Sequence, residues 1–431
     1  MKTRLLITFA IMFATLHAQT LPFDKIDAFK KDCWAQYLKK ITEDPQRQKE
    51  MAESAIPYKE SVMRFALYQI GDEPEGGYPL FIALHGGGGG TAPEVNDSQW
   101  EHMKIYYRSS VKCGIYVATR GVTNTWNLHC VDNSYPLYDR LIENCVAFKH
   151  VNPNRVYVLG YSAGGDGVYQ IASRMSDRFA AANMSAGHPN GISINNLANL
   201  PFLIQLGSND VAYDRARQAA EYTEKLDAMA NLHQGLFPHR LHLHSNRGHG
   251  FRDNIPDIVP QEIIVDYSGW LNGKERFPRE ATDTNAIRWL ERFTRNPLPK
   301  HVFWDLSNIA ASRVADGKET AKTYTQFYWL EYGGEKWDAS GTKVIEATYD
   351  KAHNNVTLRH PANAMRILLN RDMLDLAKPI HRVIDDSFQR DITVTPNETT
   401  IRSTLESRGD PSWMFEAEIN IRKNSDSWEA Q

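Results

Sequence analysis

The sequence predicts an α/β protein, with a mostly parallel sheet covered by helices on both faces, followed by a smaller, mostly β domain. Three observations carry this reading. Between about residues 63 and 297, short apolar runs alternate with longer amphipathic segments. The runs "YPLFIALHG", "GIYVATRG", "RVYVLG" and "PFLIQLG" are almost continuously apolar, as strands must be when helices bury both faces of a parallel sheet. Each of them ends at a glycine, and helical patterns follow several, which is the punctuation of βα units. After Lys300 the texture changes. "HVFWDLS", "TYTQFYWLEYGG", "KVIEATYD", "NNVTLRH" and "AMRILLN" are short, aromatic and β-branched, with turn residues between them, the pattern of a small sandwich.

Taken in chain order, the elements read as follows. Lys2 and Arg4 precede the apolar run "LLITFAIMFATL", and "LHA" ends at Ala18. This is the layout of a signal peptide over residues 1–18, which predicts a secreted or periplasmic protein. The run is short for a membrane span, so no membrane anchor is expected. Residues 19–62 read as a helical N-terminal cover with Phe29, Trp34, Tyr37, Leu38 and Ile41 as its apolar stripe. Residues 63–297 form the α/β unit, closed by the helical pattern "NAIRWLERFTRNPLP" and its prolines 297 and 299. Residues 298–431 form the sandwich-like domain, with one helix at "TIRSTLESRGDP".

The 431 residues carry a net charge of −3, with 42% hydrophobic and 23% charged residues. That is the balance of a globular protein with a sizeable core, and it calls for no nucleic-acid partner. The four cysteines are Cys33, Cys113, Cys130 and Cys145. Export permits disulfides, but four cysteines leave their pairing open, and Cys145 sits on the core side of a helical pattern. No cysteine pair has zinc-knuckle spacing, and no metal or cofactor is expected. The sequence assigns no oligomeric state.

Chemistry concentrates at "RVYVLGYSAGGDGVYQIA", Arg155 to Ala172. Gly160-Tyr161-Ser162-Ala163-Gly164 stands where a buried strand gives way to a helix. A strand that turns sharply into a helix needs small neighbours, and its corner side chain stands free at the carboxyl edge of the sheet. A hydroxyl there is placed to attack a carbonyl. The helix start offers the Ala163 N–H to the oxygen that becomes negative. A phosphate-binding loop is excluded, since no Gly-Lys-Ser/Thr follows, and the dinucleotide pattern fails where Ser162 replaces its second glycine.

A nucleophilic serine needs a base, and the base an orienting carboxylate. "PFLIQLGSNDVAYD" supplies Asp210 just past a strand, with Asp214 as the fallback. "RLHLHSNRGHGF" supplies His249 between two glycines, while His242 and His244 alternate with leucines as strand-face residues. The order Ser162, Asp210, His249 is that of strand–turn–helix serine hydrolases. "FIALHGGGGG" places His85 and the glycines Gly86 to Gly90 after an early strand. Such a loop lets backbone N–H groups approach a ligand, so Gly87 or Gly88 joins Ala163 as the expected oxyanion hole. His85, Trp126, Asn127 and His129 are candidate substrate contacts, and His188 is a weaker one. Asp166 is explained by the helix dipole alone. The segment from Phe251 to Pro278 reads as an insertion able to act as a lid.

On "HGGGGG", "GYSAGGDGVY", "GSND" and "RGHGF", over about residues 63–297, the chain resembles the α/β-hydrolase superfamily. It is similar within it to exported feruloyl and acetylxylan esterases, polyhydroxybutyrate-depolymerase-like esterases and prolyl-oligopeptidase-like hydrolases. The resemblance implies acyl transfer to Ser162, with His249 as base and then acid. It implies a small-molecule or polysaccharide-linked ester as substrate. The alternatives are a peptidase using the same three residues, or a non-catalytic glycan- or partner-binding protein on this scaffold. No propeller repeat precedes the hydrolase part, which excludes a full prolyl oligopeptidase. The aromatic run Phe327-Tyr328-Trp329 suits a sandwich core better than a sugar platform.

Overall fold

The computed structural model describes residues 20–89, 93–274, 278–308, 325–333, 344–385, 388–424 and 427–430. The signal-peptide reading of residues 1–18 and Gly90 lie outside these residues. Two helices open the described chain, α1 (Ile26–Glu43) and α2 (Pro45–Glu53). Asp44 separates them because its carboxylate accepts from the backbone of Gln46 and Arg47, with Pro45 at the first helical position. The buried stripe of α1 is Ile26, Cys33, Tyr37 and Ile41.

The central sheet has ten strands: β1 (Ala55–Tyr58), β2 (Ser61–Ile70), β3 (Tyr78–Leu84), β4 (Gly114–Thr119), β5 (Val151–Tyr161), β6 (Ala181–Ser185), β7 (Phe202–Gly207), β8 (His239–His244), β9 (Gln261–Ile264) and β10 (Pro278–Ala281). Their order is β1-β2-β4-β3-β5-β6-β7-β8-β9-β10. The six strands from β4 to β8 in that order run parallel, and antiparallel strands flank them on both sides. This is the α/β-hydrolase fold. Every residue of β3, β4, β6 and β7 is buried, which is why these strands read as unbroken apolar runs.

Alternation along β3 divides the core. Leu80, Ile82 and Leu84 face one layer with Leu141, Val168 and Leu226. Phe81 and Ala83 face the other with Trp100, Met103 and Ile287. The first layer comes from α4 (Ser134–Lys149), α5 (Ala163–Arg174) and α6 (Arg215–Leu232); the second comes from α3 (Pro93–Tyr106) and α8 (Ala286–Leu290). Helix α8 is shorter than its pattern predicts. Beyond it the backbone is diverted to β5, where Tyr157 donates to Phe293 O at 2.8 Å and Arg295 N to Asn154 O at 2.9 Å.

The stretch after Phe251 is not a lid. Its strands β9 and β10 continue the sheet as antiparallel edge strands, joined by the short helix α7 (Tyr267–Leu271). Arg288 pins the preceding loop by donating to the carbonyls of Ile255 and Pro256. Residues 275–277 of that stretch lie outside the described residues.

The last part holds two five-stranded sheets. One has the order β11 (His301–Asp305), β14 (Val344–Asp350), β15 (Asn355–Arg359), β17 (Ile380–Ile384) and β18 (Phe388–Ile392). The other has β12 (Gln326–Phe327), β13 (Leu330–Tyr332), β16 (Ala364–Leu369), β19 (Ala417–Asn424) and β20 (Ser427–Ala430). Phe327, Tyr328 and Trp329 are all buried in the core these sheets share, so they offer no platform to a sugar. Helix α9 (Glu398–Arg408), capped by Asn397 and ended by left-handed Gly409, packs Ile401 and Leu405 against Ile26 and Ile41 of α1. The four cysteines are all free thiols. Among the described residues no helix is long and apolar enough to cross a membrane.

A buried charge cluster joins the α/β part to the C-terminal sheets. Arg295 Nη2 meets Asp410 Oδ2 at 2.5 Å, and Arg178 Nε meets Asp139 Oδ1 at 2.7 Å. Arg408 pairs with Asp177, and Arg295 also donates to the Asp177 carbonyl. Burial alone raises an aspartate, but Arg295 and Arg178 outweigh it and hold the Asp410 carboxyl below its ordinary range.

Removing Asp410 takes away the one carboxylate bonded to the buried Arg295 guanidinium and the second one near Arg178. Asp410→Ala is expected to lower stability by about 3–5 kcal/mol, read from denaturant unfolding of the full chain at neutral pH. The Asp410 contribution should be complete above its ordinary value of 3.8 and fade as pH falls through the lower folded value. A loss near zero at pH 7 would contradict the cluster's role.

Candidate active site

Strand β5 ends at Tyr161 and α5 begins at Ala163, so a single residue makes the corner. That residue, Ser162, has φ 59° and ψ −123°, a conformation that costs a side-chain-bearing residue about 1–3 kcal/mol. Close packing holds it there. A Cβ on Gly160 would lie 2.4 Å from Gly164 O, and one on Gly164 would lie 2.1 Å from Leu84 O. No other residue fits at either place. The Ser162 N–H is fixed by the Ser185 carbonyl of β6 at 2.9 Å.

Asp210 and His249 reach the corner from the next two strands. Gly207 ends β7, and a Cβ there would lie 2.0 Å from Gly248 O, so the loops carrying the two residues touch. Asp210 is buried. Its Oδ2 accepts from His249 Nδ1 at 2.7 Å, and His249 Nε2 stands 3.0 Å from Ser162 Oγ. The Asp210 contact places the imidazole proton on Nδ1 and leaves Nε2 as the acceptor of the Ser162 hydroxyl proton. Tyr161 donates to the His249 carbonyl at 2.7 Å and fixes that loop from outside. Asp214, the fallback acid, is excluded: its carboxylate points to solvent beside Arg217, at the start of α6.

His242 and His244 are buried on β8 and share Gln205 Oε1 at 3.3 and 3.1 Å. Burial pushes them down to about 4 and about 3, so both are neutral. Among the described residues no group of His, Cys, Asp or Glu has the arrangement of a metal site.

The glycine loop after β3 runs along the corner; a Cβ on Gly86 would lie 3.3 Å from Ser162 Cβ. Gly87, Gly88 and Gly89 all have positive φ, which suits glycine alone. The two candidate donors differ. The Gly88 N–H already donates to Asn96 Oδ1 at 2.6 Å, so Gly88 is removed from the expected oxyanion hole. Gly87 stays beside the elbow. Ala163 is the first residue of α5, where backbone N–H groups have no intrahelical acceptor.

Two candidate substrate contacts are corrected as well. His85 is fully buried, donating from Nδ1 to Gly86 O at 2.5 Å and accepting from Gly121 N at 3.1 Å. His129 is buried edge-on against it and donates to the His85 carbonyl at 2.9 Å. Burial pushes His85 down to about 4. Both side chains brace the glycine loop from below and touch no open space.

Trp126 and Asn127 do line a cavity of about 450 Å³, together with Asp166, His188, Asn190, Tyr213 and Arg215. The Trp126 indole leans on Gly89, where a Cβ would come within 2.8 Å of it, and meets the Tyr213 ring at 5.9 Å. Tyr213 and Asp214 are consecutive left-handed residues, and this kink sets Tyr213 at the cavity mouth. Arg215 lies 4.7 Å from the Tyr213 ring and 3.5 Å from Asp210 Oδ1. Asp166 accepts from His188 N at 2.6 Å, so it ties the β6 loop to the elbow helix besides facing its dipole. Asp166, Asn190, Tyr213 and Arg215 were not legible as site residues. The one available signal was the closeness of Tyr213 and Arg215 to Asp210 in sequence.

Residues 119–271 match the model of the dienelactone hydrolase family, a stretch that contains Ser162, Asp210 and His249. Among solved structures, a thermostable esterase is 19% identical with a TM-score of 0.38; the match covers 56% of this chain and 62% of that one. A poly(3-hydroxybutyrate) depolymerase from Bordetella parapertussis is 18% identical with a TM-score of 0.39, over 55% of this chain and 97% of that one. A ferulic acid esterase is 16% identical with a TM-score of 0.33, over 46% and 90%. The chain thus spans less than two thirds of the thermostable esterase. No curated protein gives a significant match.

Gly164→Ala tests the elbow packing. A methyl 2.1 Å from Leu84 O must push β3 and α5 apart, with an expected loss of about 1–3 kcal/mol in thermal unfolding of the full chain. An unchanged melting temperature would contradict it.

Proposed function

We propose that the chain is a serine hydrolase of carboxyl esters, with Ser162 as nucleophile, His249 as base and acid, and Asp210 as the orienting carboxylate. One observation carries this reading: the continuous contacts from Asp210 through His249 to Ser162 at 2.7 and 3.0 Å. The dienelactone hydrolase match over the same residues supports it.

The chemistry follows from the geometry. Ser162 Oγ attacks the ester carbonyl as its proton passes to His249 Nε2. The oxygen that gains charge lies against the N–H groups of Ala163 and Gly87, donors already in place before the reaction. His249 then gives the proton to the departing alcohol, which leaves an acyl group on Ser162. Water repeats the sequence through the same base and releases the acid. Asp210 keeps its charge throughout and holds Nδ1.

The cavity beside the elbow takes one of the ester's two groups. Trp126 is 52% exposed and Tyr213 is 65% exposed at its mouth. Aromatic faces on an open rim suit a substrate that extends beyond the cavity, such as an acyl group carried on a polysaccharide. The signal-peptide layout of residues 1–18 supports action outside the cytoplasm. A small ester fits the same cavity.

The test is hydrolysis of p-nitrophenyl acyl esters and acetyl- and feruloyl-sugar esters by the full mature chain. Ser162→Ala and His249→Ala should each lower kcat by at least about 10⁴-fold in folded protein. A Ser162→Ala variant with wild-type turnover would overturn the proposal. Trp126→Ala should raise KM for the sugar esters more than for the small ones.

A further inference from the structure

Asp253 lies four residues beyond His249 and is fully buried. Among the described residues it pairs with no cation. Its carboxylate accepts from three hydroxyl groups instead: Tyr106 at 2.9 Å, Tyr107 at 2.7 Å and Ser185 at 2.5 Å. A carboxylate buried without a counter-charge is costly, and an apolar residue would serve stability better. Burial accordingly pushes its carboxyl up, while the three hydroxyl groups oppose that rise.

The partners of Asp253 explain its presence. Ser185 holds the nucleophile corner with its carbonyl, through the Ser162 N–H, and Asp253 with its hydroxyl. The Tyr106 ring packs edge-on against Tyr161 at 5.5 Å. Tyr161 in turn donates to the His249 carbonyl and accepts from the Phe251 N–H. One carboxylate therefore joins the strand that fixes Ser162 to the loop that carries His249.

The direction of the protons points the same way. His242 and His244, both neutral, share the Gln205 carbonyl oxygen, and the Gln205 amide donates to Asn183 Oδ1 at 3.1 Å. The Asn183 amide donates to Ser185 Oγ at 3.0 Å. The lone hydroxyl proton of Ser185 is thus left for Asp253. From Gln205 on β7 through Asn183 and Ser185 on β6 every donor points toward Asp253, and an anion is the acceptor that satisfies all three hydroxyl groups at once.

We propose that Asp253 is a positioning residue: a buried carboxylate, at the end of a one-way hydrogen-bond chain, that sets the spacing between Ser162 and His249. This rests on the serine-hydrolase reading above. A misplacement near 1 Å between reacting groups costs about 100-fold in rate, which is why a chain would retain a costly buried charge there.

The test uses the full chain and three variants, Asp253→Asn, Tyr107→Phe and Ser185→Ala. Asp253→Asn turns an amide N–H₂ toward hydroxyl donors. Its kcat on a p-nitrophenyl ester is expected to fall about 10- to 100-fold, with KM changed less than about twofold. Labelling of Ser162 by a fluorophosphonate should slow by the same factor, at a temperature where circular dichroism shows folded protein. If Asp253→Asn does not fold, Tyr107→Phe and Ser185→Ala carry the test. Each should lower kcat with KM held, and their double variant should lose less than the product of the two. Folded variants with a lower melting temperature but unchanged kcat and labelling rate would overturn the proposal. A wild-type chain that neither labels nor hydrolyses esters would overturn the reading of Ser162 itself, and this inference with it.

Discussion

The contact on which the rest of the site depends is the approach of α5 to β3 and β5 at Ser162. Leu84 O lies where a Cβ of Gly164 would stand, and Gly164 O lies where a Cβ of Gly160 would stand. Two bare glycines let a helix start directly on a strand end, and the residue between them is left in a strained, left-handed conformation. The strain is sustained because β5 lies between the buried parallel strands β3 and β6. The same crowding aims the Ser162 side chain away from the sheet, toward His249. It also makes Ala163 the first residue of a helix, where its N–H has no intrahelical acceptor.

Around that corner the protein builds its supports from polar groups in places where apolar ones are usual. His85 and His129 brace the glycine loop, Asn96 fixes Gly88, and Asp253 gathers three hydroxyl groups beneath the base loop. Buried polar groups of this kind give direction as well as packing, because each hydrogen bond has one geometry. The C-terminal sheets are held by the same means at larger scale. Arg178, Arg295 and Arg408 meet Asp139, Asp177 and Asp410 in the core between them and the α/β part. Helices α1 and α9 add an apolar contact. The C-terminal part is thereby built into the molecule as a neighbour of the central sheet.

The sequence carried some of this plainly. The strands of the central sheet were legible because burial on both faces leaves unbroken apolar runs. Ser162, Asp210 and His249 were legible because each follows such a run, and glycines mark the close approaches. The sandwich was legible from short β-branched and aromatic runs. What was not legible depends on side-chain direction and on non-local contact. His85 and His129 carry the same letters whether they face a ligand or the core, and only the fold shows them buried. Gly88 looked equal to Gly87 until Asn96, eight residues on, was found to occupy its N–H. The stretch after Phe251 looked like a lid because its strands pair at the sheet edge, where no continuous apolar run is required. Tyr213 and Arg215 reach the cavity through two consecutive left-handed residues that no glycine announces.

The central claim is that the hydroxyl at this corner is the nucleophile. The most direct measurement is peptide mapping by mass spectrometry of the full chain after partial inactivation with a fluorophosphonate. The account predicts one adduct, on Ser162, in an amount equal to the fraction of esterase activity lost. Active protein that loses its activity with the adduct on another residue, or keeps its activity with Ser162 modified, would contradict it.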